Sequence, residues 1–465
     1  MGKAANILSL VVAPPIRDFY FSRQRLSWLG ASALASRLTN LGHNVKLLIA
    51  PTSTANITQV PLPSYFNYLK PFLNLPLPKE FSFFKGLYRL GPSLKDFAKT
   101  VASYQAQNIF ISNFAYSYSD DAIKLATLIR QLQPDVNLTI GGAGTSVNPD
   151  YFLQTKLFDS VEIDKSCSAL PTVLSEIPLP KNEVKLVTIL SKGCPRSCSF
   201  CSNHLTQGKK FSHISEQQFL SLLAQKQKEL TDKNLVCTQF DIEDDNLLLD
   251  KKFFLFVLKA INQYFPQAKI FCENGLDYLL LDETLIDLLK EHNFTQLNLA
   301  LASVSPNTLL NLERKSNMDK LLKICNYANK LSIKPIVYFI CGTKYDTPLH
   351  VIKAFKFIKA AKALPGISLF YPVPGLLGFE DFSIFKKGES HKTLSAAAYP
   401  WSKTLSTQTM VTSFILSRIF YNHQNSKYYF GRSNLSQYQN LTPTFFENLN
   451  LDMELIYRFF DSKII

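Results

Sequence analysis

The sequence predicts an α/β protein: an N-terminal doubly wound Rossmann-like domain, then a six-unit β/α domain, then a mostly helical C-terminal tail. Three observations predict it. Short apolar runs bounded by polar turn residues alternate with segments of helical period from about residue 7 to residue 373. A Pro-rich stretch, IPLPKNE at 177–183, divides that alternation into two blocks. From about residue 390 the rhythm stops. The boundaries this gives are 1–176, 184–389 and 390–465.

In the first block NILSLVV is a strand, RLSWLGASALASRLTNLG a helix and HNVKLLIA a second strand. NIFIS is a third strand, DDAIKLATLIRQLQ a helix, and NLTIGG a fourth strand running into Gly141-Gly142-Ala143-Gly144. Such a sheet places its ligand crevice at the strand carboxyl ends, where paired glycines let a backbone approach closely. Residues 52–100 interrupt the block with a Pro- and aromatic-rich insertion.

In the second block six apolar strands are expected: Lys185 to Leu190, Val236 to Glu243, Ala268 to Asn274, Thr295 to Ala302, Lys334 to Cys341 and Ile367 to Val373. Amphipathic helices separate them, as buried parallel strands joined by right-handed crossovers require. In a β/α barrel the chemistry sits on loops at the strand carboxyl ends. Six units are two short of a closed barrel.

With 46% hydrophobic and 18% charged residues the chain is globular, not disordered. Its net charge of +14 is spread over helix faces such as KLLKICNYANK, without a basic block. Specific nucleic-acid binding is therefore not expected, and an anionic or apolar substrate suits the charge and the 36 Phe and 20 Tyr. No apolar run is long enough for a membrane span, and the start reads as a strand rather than a signal peptide. A cytoplasmic location is the expectation.

The chemistry lies in Gly193-Cys194-Pro195-Arg196-Ser197-Cys198-Ser199-Phe200-Cys201. Thiolates spaced C-x-x-x-C-x-x-C on one loop can converge on three irons of a [4Fe–4S] cube, leaving the fourth open to a small molecule. Zinc is the rival, with His204 as a fourth ligand, although structural zinc sites usually join two paired motifs. Cys237, Cys272, Cys325 and Cys341 share no short spacing and read as small buried hydrophobes. His391 and His423 read as ordinary polar residues.

With Phe200 before its last Cys, the loop resembles the signature of the radical S-adenosylmethionine (radical SAM) superfamily. The resemblance implies a six-unit partial TIM-type barrel and a [4Fe–4S] cluster on Cys194, Cys198 and Cys201. It also implies S-adenosylmethionine on the open iron, cleaved to methionine and a 5′-deoxyadenosyl radical that attacks an unactivated carbon. An external electron donor of flavodoxin or ferredoxin type and a small-molecule substrate follow.

The same resemblance implies cofactor contacts from Phe200, beside the adenine, and from the acidic run Glu243, Asp244 and Asp245 with Asn246. Ser303, with Ser305, and Arg314 match the family's Ser turn and downstream Arg, which meet ribose hydroxyls and the methionyl carboxylate. A guanidinium fork suits both carboxylate oxygens. Gly342 matches a glycine turn on the fifth strand, although Lys344-Tyr345-Asp346 departs from the usual continuation.

The first block resembles the cobalamin-binding domain that precedes many such barrels, matching at Leu29-Gly30, the His43 region, Asp120 to Gln133 and Gly141-Gly142. It lacks D-x-H-x-x-G, so no His is supplied as a lower cobalt ligand, and Asp164-Lys165-Ser166-Cys167 replaces the usual acidic turn. The resemblance implies cobalamin-dependent methylation. The alternatives are cobalamin-free rearrangement, cyclisation or oxidation, or a non-enzymatic iron–sulfur scaffold. The substrate is not named by the sequence.

Overall fold

The computed structural model describes residues 7–78, 80–81, 84–163, 173–376, 388–428 and 441–465. The acidic-turn replacement at 164–167 lies outside them. The first part runs β1 (Leu8–Ala13), β2 (Ile16–Asp18), α1 (Leu29–Asn40), β3 (Asn44–Ile49), β4 (Ile57–Val60), β5 (Leu87–Leu90) and α2 (Leu94–Ser103). It continues with β6 (Asn108–Ser112), α3 (Ser119–Leu132), β7 (Asn137–Gly141), α4 (Ala143–Ser146), α5 (Pro149–Leu153) and β8 (Ser160–Val161). Five parallel strands pair in the order β3-β1-β6-β7-β8. Leu10 and Val12 of β1 pack with α2 and α3, while Val11 packs with Ala31 and Leu38 of α1. Alternate residues thus serve opposite helical layers, which is what a doubly wound sheet needs.

The 52–100 insertion holds more structure than its composition predicts. β2, β5 and β4 form an antiparallel sheet, Ser64–Phe72 is a 3₁₀ helix, and α2 is the crossover helix of the first sheet. Its aromatic residues Phe66, Phe72, Phe81 and Phe84 join the core of the rest of the chain. Phe84 lies edge-on to Phe414 of the tail, 5.7 Å between ring centres. Such contacts account for the aromatic excess as core packing.

The segment taken as a linker is in part a strand. β9 (Ser175–Pro178) pairs antiparallel with β10 (Glu183–Thr188), covering the edge of the second sheet. A short hairpin, β11 (Ser191–Lys192) and β12 (Ser212–His213), spans the Cys loop and α6 (Asn203–Thr206). There follow α7 (Glu216–Asp232), β13 (Val236–Ile242), α8 (Lys251–Tyr264), β14 (Lys269–Phe271), α9 (Glu283–Glu291), β15 (Gln296–Ala302) and α10 (Pro306–Asn311). Then come α11 (Met318–Lys330), β16 (Lys334–Cys341), α12 (Pro348–Ala360) and β17 (Leu364–Leu369). β10, β13, β14, β15, β16 and β17 neighbour one another in chain order, all parallel, with isolated bridges Ile270 to Phe294 and Leu276 to Leu299 joining the two ladders.

Four strands end earlier than predicted, β10 at Thr188 and β13 at Ile242 by one or two residues, β14 and β17 by more. β14 stops at Phe271 because Asp241 Oδ1 takes the Glu273 amide (3.1 Å) and the Asn274 side chain reaches the Glu243 carbonyl (2.7 Å). β17 ends at Leu369, not Val373. The tail is helical, with α13 (Thr407–Tyr428) and α14 (Met453–Asp461). Among the described residues no helix is long and apolar enough to cross a membrane.

Candidate active site at the cysteine loop

The loop carrying the three cysteines leaves the hairpin strand β11 through Gly193. Its φ is +81°, and a Cβ there would stand 2.1 Å from the Lys210 carbonyl, so only glycine fits. Cys194 N–H donates to the Gly208 carbonyl (3.1 Å) and Cys201 N–H to the Cys198 carbonyl (3.0 Å). Arg196 is ion-paired to the buried Asp277 beyond β14. Ser199 N–H donates to the Leu312 carbonyl (3.2 Å). Both ends and the middle of the loop are therefore fixed to separate elements.

Cys198 is buried, and Cys194 and Cys201 are half-buried. Burial pushes the Cys201 thiol up to about 11, with the charges of Asp245, Cys198 and Cys194 adding to it. A thiol raised in this way ionises readily only beside a cation. The donor set, all cysteine, fits an iron–sulfur cluster. Among the described residues, no group of three or more His, Cys, Asp or Glu side chains, the three loop cysteines included, is arranged to hold a metal ion.

Arg314 points inward. Its Nη1 lies 3.9 Å from Cys198 Sγ, Nη2 donates to the Ala300 carbonyl (2.9 Å), and Nε is buried without a partner. The β15 register shifts between Ala300 and Ala302, and Ala302 has φ +70°, in the left-handed region that costs a non-glycine residue energy. The bulge turns the Ala300 carbonyl toward Arg314 and delivers Ser303 to the strand end.

The acidic run divides. Asp244 does not face an open site, as the sequence reading expected of it: it accepts the backbone N–H groups of Leu190 (2.9 Å) and Ser191 (2.6 Å) and the Ser191 hydroxyl. It positions the strand that launches the Cys loop. Burial raises its carboxyl to about 7 against those hydrogen bonds. Glu243 is half-buried and accepts from the Ser27 hydroxyl (3.1 Å); burial and the nearby Asp241 raise it to about 7. Asp245 is exposed, hydrogen-bonded to the Asn203 side chain and close enough to raise the Cys201 pKa.

Ser303 is buried and accepts the Ser305 N–H (3.2 Å), while Ser305 caps α10 by accepting from Thr308 N–H. Gly342 departs from its expected role. Its N–H is taken by Asp346 Oδ2 (3.1 Å), and a Cβ there would meet Met410 Sδ at 2.8 Å, so the glycine admits the tail helix α13. Phe200 lines a small pocket with Ser199, Asn311, Thr343, Lys344 and Tyr345.

Sequence reasoning missed the first domain's share. Arg25 Nε stands 3.3 Å from Glu273 Oε2 and its Nη2 donates to Asn274 Oδ1 (3.2 Å). Glu273 also meets Lys185 Nζ (3.0 Å), which meets Asp241 (2.8 Å) at a fully buried site. No local motif announces Arg25 or Ser27, because their partners lie more than two hundred residues away. The first sheet's carboxyl edge faces the Cys loop. At Gly375, a Cβ would touch both Leu205 of α6 (3.1 Å) and the Val147 carbonyl after α4 (4.0 Å).

Comparison with known proteins agrees with this geometry. Residues 188–358 match the model of the radical SAM superfamily. Over 207 residues the chain is 25% identical to bacteriochlorophyllide d C-12(1)-methyltransferase of Chlorobaculum tepidum, 44% of each protein being covered. The chain thus spans less than half the length of that relative. The radical SAM methyltransferase TsrM of Kitasatospora setae, solved with cobalamin and a [4Fe–4S] cluster, superposes with a TM-score of 0.55 at 13% identity, over 79% of this chain and 73% of that one. The cobalamin-dependent radical enzyme OxsB superposes at 0.50 and 12% identity, over 83% and 55%. These two likenesses concern the fold alone. The segment that matches the radical SAM superfamily holds the cysteine loop, the acidic run and Arg314.

Proposed function

We propose that this chain is a radical SAM enzyme acting on an unactivated carbon of a small molecule, with methyl transfer as its reaction. The observation that carries the reading is Arg314, which ties the bulged end of β15 to Cys198 and keeps a buried Nε unmatched. When bound, a [4Fe–4S] cluster supplies the electron that splits S-adenosylmethionine into methionine and a 5′-deoxyadenosyl radical.

Cys194, Cys198 and Cys201 would hold three irons, on a loop fixed by Asp244 and by the Arg196–Asp277 pair. Arg314 would take the methionyl carboxylate and offset thiolate charge. Glu243 and Asp245 would face the ammonium and sulfonium, and a cation there would draw the proton off Glu243. Ser303 keeps its hydroxyl proton for a ribose oxygen, and Phe200 with Tyr345 forms an apolar wall suited to adenine. Gly342 has no part beyond packing.

Cobalamin would lie at the first domain's carboxyl edge, where Phe114, 39% exposed beside Trp28, offers an apolar face toward the cleft. It would have no His below cobalt from His43 or His391. His43 bonds Ser9 (3.0 Å) at the opposite end of the sheet, and His391 is held by Asp121 (3.0 Å). The Gly142 and Gly144 backbones are closed on Asn113 and Ala115, so those glycines serve the domain's own packing. The test is anaerobic reconstitution with iron and sulfide, assaying 5′-deoxyadenosine with cobalamin titrated in parallel. A His-off cobalamin spectrum is expected. Nucleoside release without cobalamin uptake would move the reaction to rearrangement, cyclisation or oxidation, and no nucleoside with any reductant would overturn the enzyme reading.

A further inference from the structure

One loop of the first domain enters the mouth of the second. It lies between β2 and α1, where Ser27 Oγ donates to Glu243 (3.1 Å) and the Ser175 hydroxyl holds the Ser27 carbonyl. Arg25 is on this loop, with Nε 3.3 Å from Glu273 Oε2 and Nη2 donating to Asn274 Oδ1 (3.2 Å). The same Glu273 oxygen also takes Lys185 Nζ (3.0 Å), an ammonium that Asp241 already meets at 2.8 Å. Two cations thus share one oxygen, and Arg25 Nη1 has no partner among the described residues.

The guanidinium is nevertheless not on an open surface. Its side chain is 44% exposed, yet burial works against its charge and is outweighed by Tyr338, Glu273, Asp241 and Glu243. A group that water touches but protein surrounds lines a cleft. Tyr371, beyond β17, has the same character: it is 38% exposed, and burial raises its phenol, with Tyr20, Asp18 and Cys201 adding to the rise. Burial also raises the Tyr20 phenol, Asp18 adding to the rise and Arg25 opposing it, and its ring stands 6.3 Å from that of Phe414 in the tail. Arg25, Tyr20, Tyr371 and Cys201 are therefore successive neighbours, running from an unmatched cationic edge to the cysteine loop.

We infer that Arg25 sets the substrate class: it holds a carboxylate of an apolar, aromatic substrate whose rings lie along Tyr20 and Tyr371 toward Cys201. The inference rests on the enzyme proposed above. A guanidinium edge takes both oxygens of a carboxylate, a fork that an ammonium does not reproduce. Phenol rings offer flat apolar faces to a ring system. The net charge of +14 draws an anion toward such a site. S-Adenosylmethionine also carries a carboxylate, for which Arg314, 3.9 Å from Cys198 Sγ, is the proposed partner, and the test separates the two sources.

The probes are 1-pyrenebutyrate and its neutral analogue 1-pyrenebutanol. Both are titrated by fluorescence into the reconstituted full chain and into Arg25→Gln, Arg25→Lys and Tyr371→Ala. Wild type should bind the acid about 10-fold more tightly than the alcohol. Arg25→Gln should remove that preference and leave alcohol binding as it was, which also shows that the cleft is intact. Arg25→Lys should restore part of the preference, and Tyr371→Ala should weaken both probes about 3-fold or more. S-Adenosylmethionine binding, read by equilibrium dialysis, should be the same in Arg25→Gln and wild type. Equal binding of acid and alcohol by wild type, binding of neither, or loss of both probes in Arg25→Gln would each overturn the inference. So would loss of S-adenosylmethionine binding in Arg25→Gln, which would assign the arginine to the cofactor. Wild type forming no 5′-deoxyadenosine would instead count against the proposed enzyme, and the comparison of acid with alcohol would still decide Arg25.

Discussion

The two carboxyl edges that meet in this molecule treat their charges in opposite ways. At the edge of the first sheet the chain answers its own charged groups, although the neutral Asn113 Oδ1 and Thr145 Oγ1 are buried without a partner. Arg17 forks onto Asp121 (2.6 to 3.1 Å), and His391 of the tail adds a third contact at 3.0 Å. Asp120 accepts from Tyr151 (2.5 Å) and from the Ser390 amide (2.6 Å), while Ser117 donates to the Thr393 carbonyl. At the edge of the second sheet Glu243 has a single serine, Asp245 is exposed, and Arg314 Nε and Asn246 Oδ1 are buried without partners. A closed set of buried charges fastens one part of a chain to another; an unclosed set is a place for a ligand to finish.

The sharpest break of that contrast is Cys198→Ala. If the second edge is completed by a cluster, reconstituted iron should fall from about four per chain to less than one, read by iron assay and visible absorbance. A variant retaining its full cluster would leave the second edge no more open than the first.

Asp121→Ala tests the closed edge. Removing it takes the forked carboxylate from half-buried Arg17 and leaves buried His391 only its longer contacts to Asp120 (3.9 Å) and Tyr65 (3.5 Å), which should cost about 3 kcal/mol of stability, measured by urea denaturation of the apoprotein. Burial works against ionisation of Asp121, but His391 and Arg17 outweigh it and hold the carboxyl well below its usual range. Its contribution is therefore present above its unfolded value, about pH 4, and is lost as pH falls through the lower folded value. Wild type and variant should converge in acid. Parallel stability curves from pH 7 to pH 3 would contradict the assignment.

Arg314→Ala should weaken S-adenosylmethionine binding by roughly 2–5 kcal/mol, by equilibrium dialysis of the cluster-loaded protein, with Arg314→Lys recovering only part. Ser303→Ala should cost least, about 1 kcal/mol, since its oxygen already serves the Ser305 amide. If the Ser303 effect exceeded that of Arg314, the order of the two contacts would be reversed.

Sequence and structure differ most where distance along the chain is greatest. The cysteine loop was legible because its three thiols fall within eight residues, so spacing alone constrains them. Asp244 and Glu243 are neighbours in sequence and alternate across a strand end, so one points to the Cys-loop strand and the other to the cleft. That division is invisible to a reading that takes the acidic run as one unit. Gly342 was legible as a glycine needed for close approach, but the approaching atom is Met410 Sδ, from a helix whose docking no local pattern encodes. His391 read as an ordinary polar residue and is the tail's buried contact to the first domain.

What the sequence determined by itself is local and periodic: the alternation of strands and helices, the doubly wound and six-strand blocks, the three thiols and the glycine that launches them. Hydrophobic period and φ-restricted turns act over a few residues, so they are written where they act. Only the tertiary structure decided that the aromatic insertion is core and that the tail closes on Asp120 and Asp121. The same holds for Arg25 and Ser27, which enter the second domain's mouth, and for Arg314, which turns toward Cys198. Each of those outcomes is a pairing of buried charges or apolar faces across long sequence separations, where the partner is chosen by which surfaces the packed sheets bring within a few ångströms.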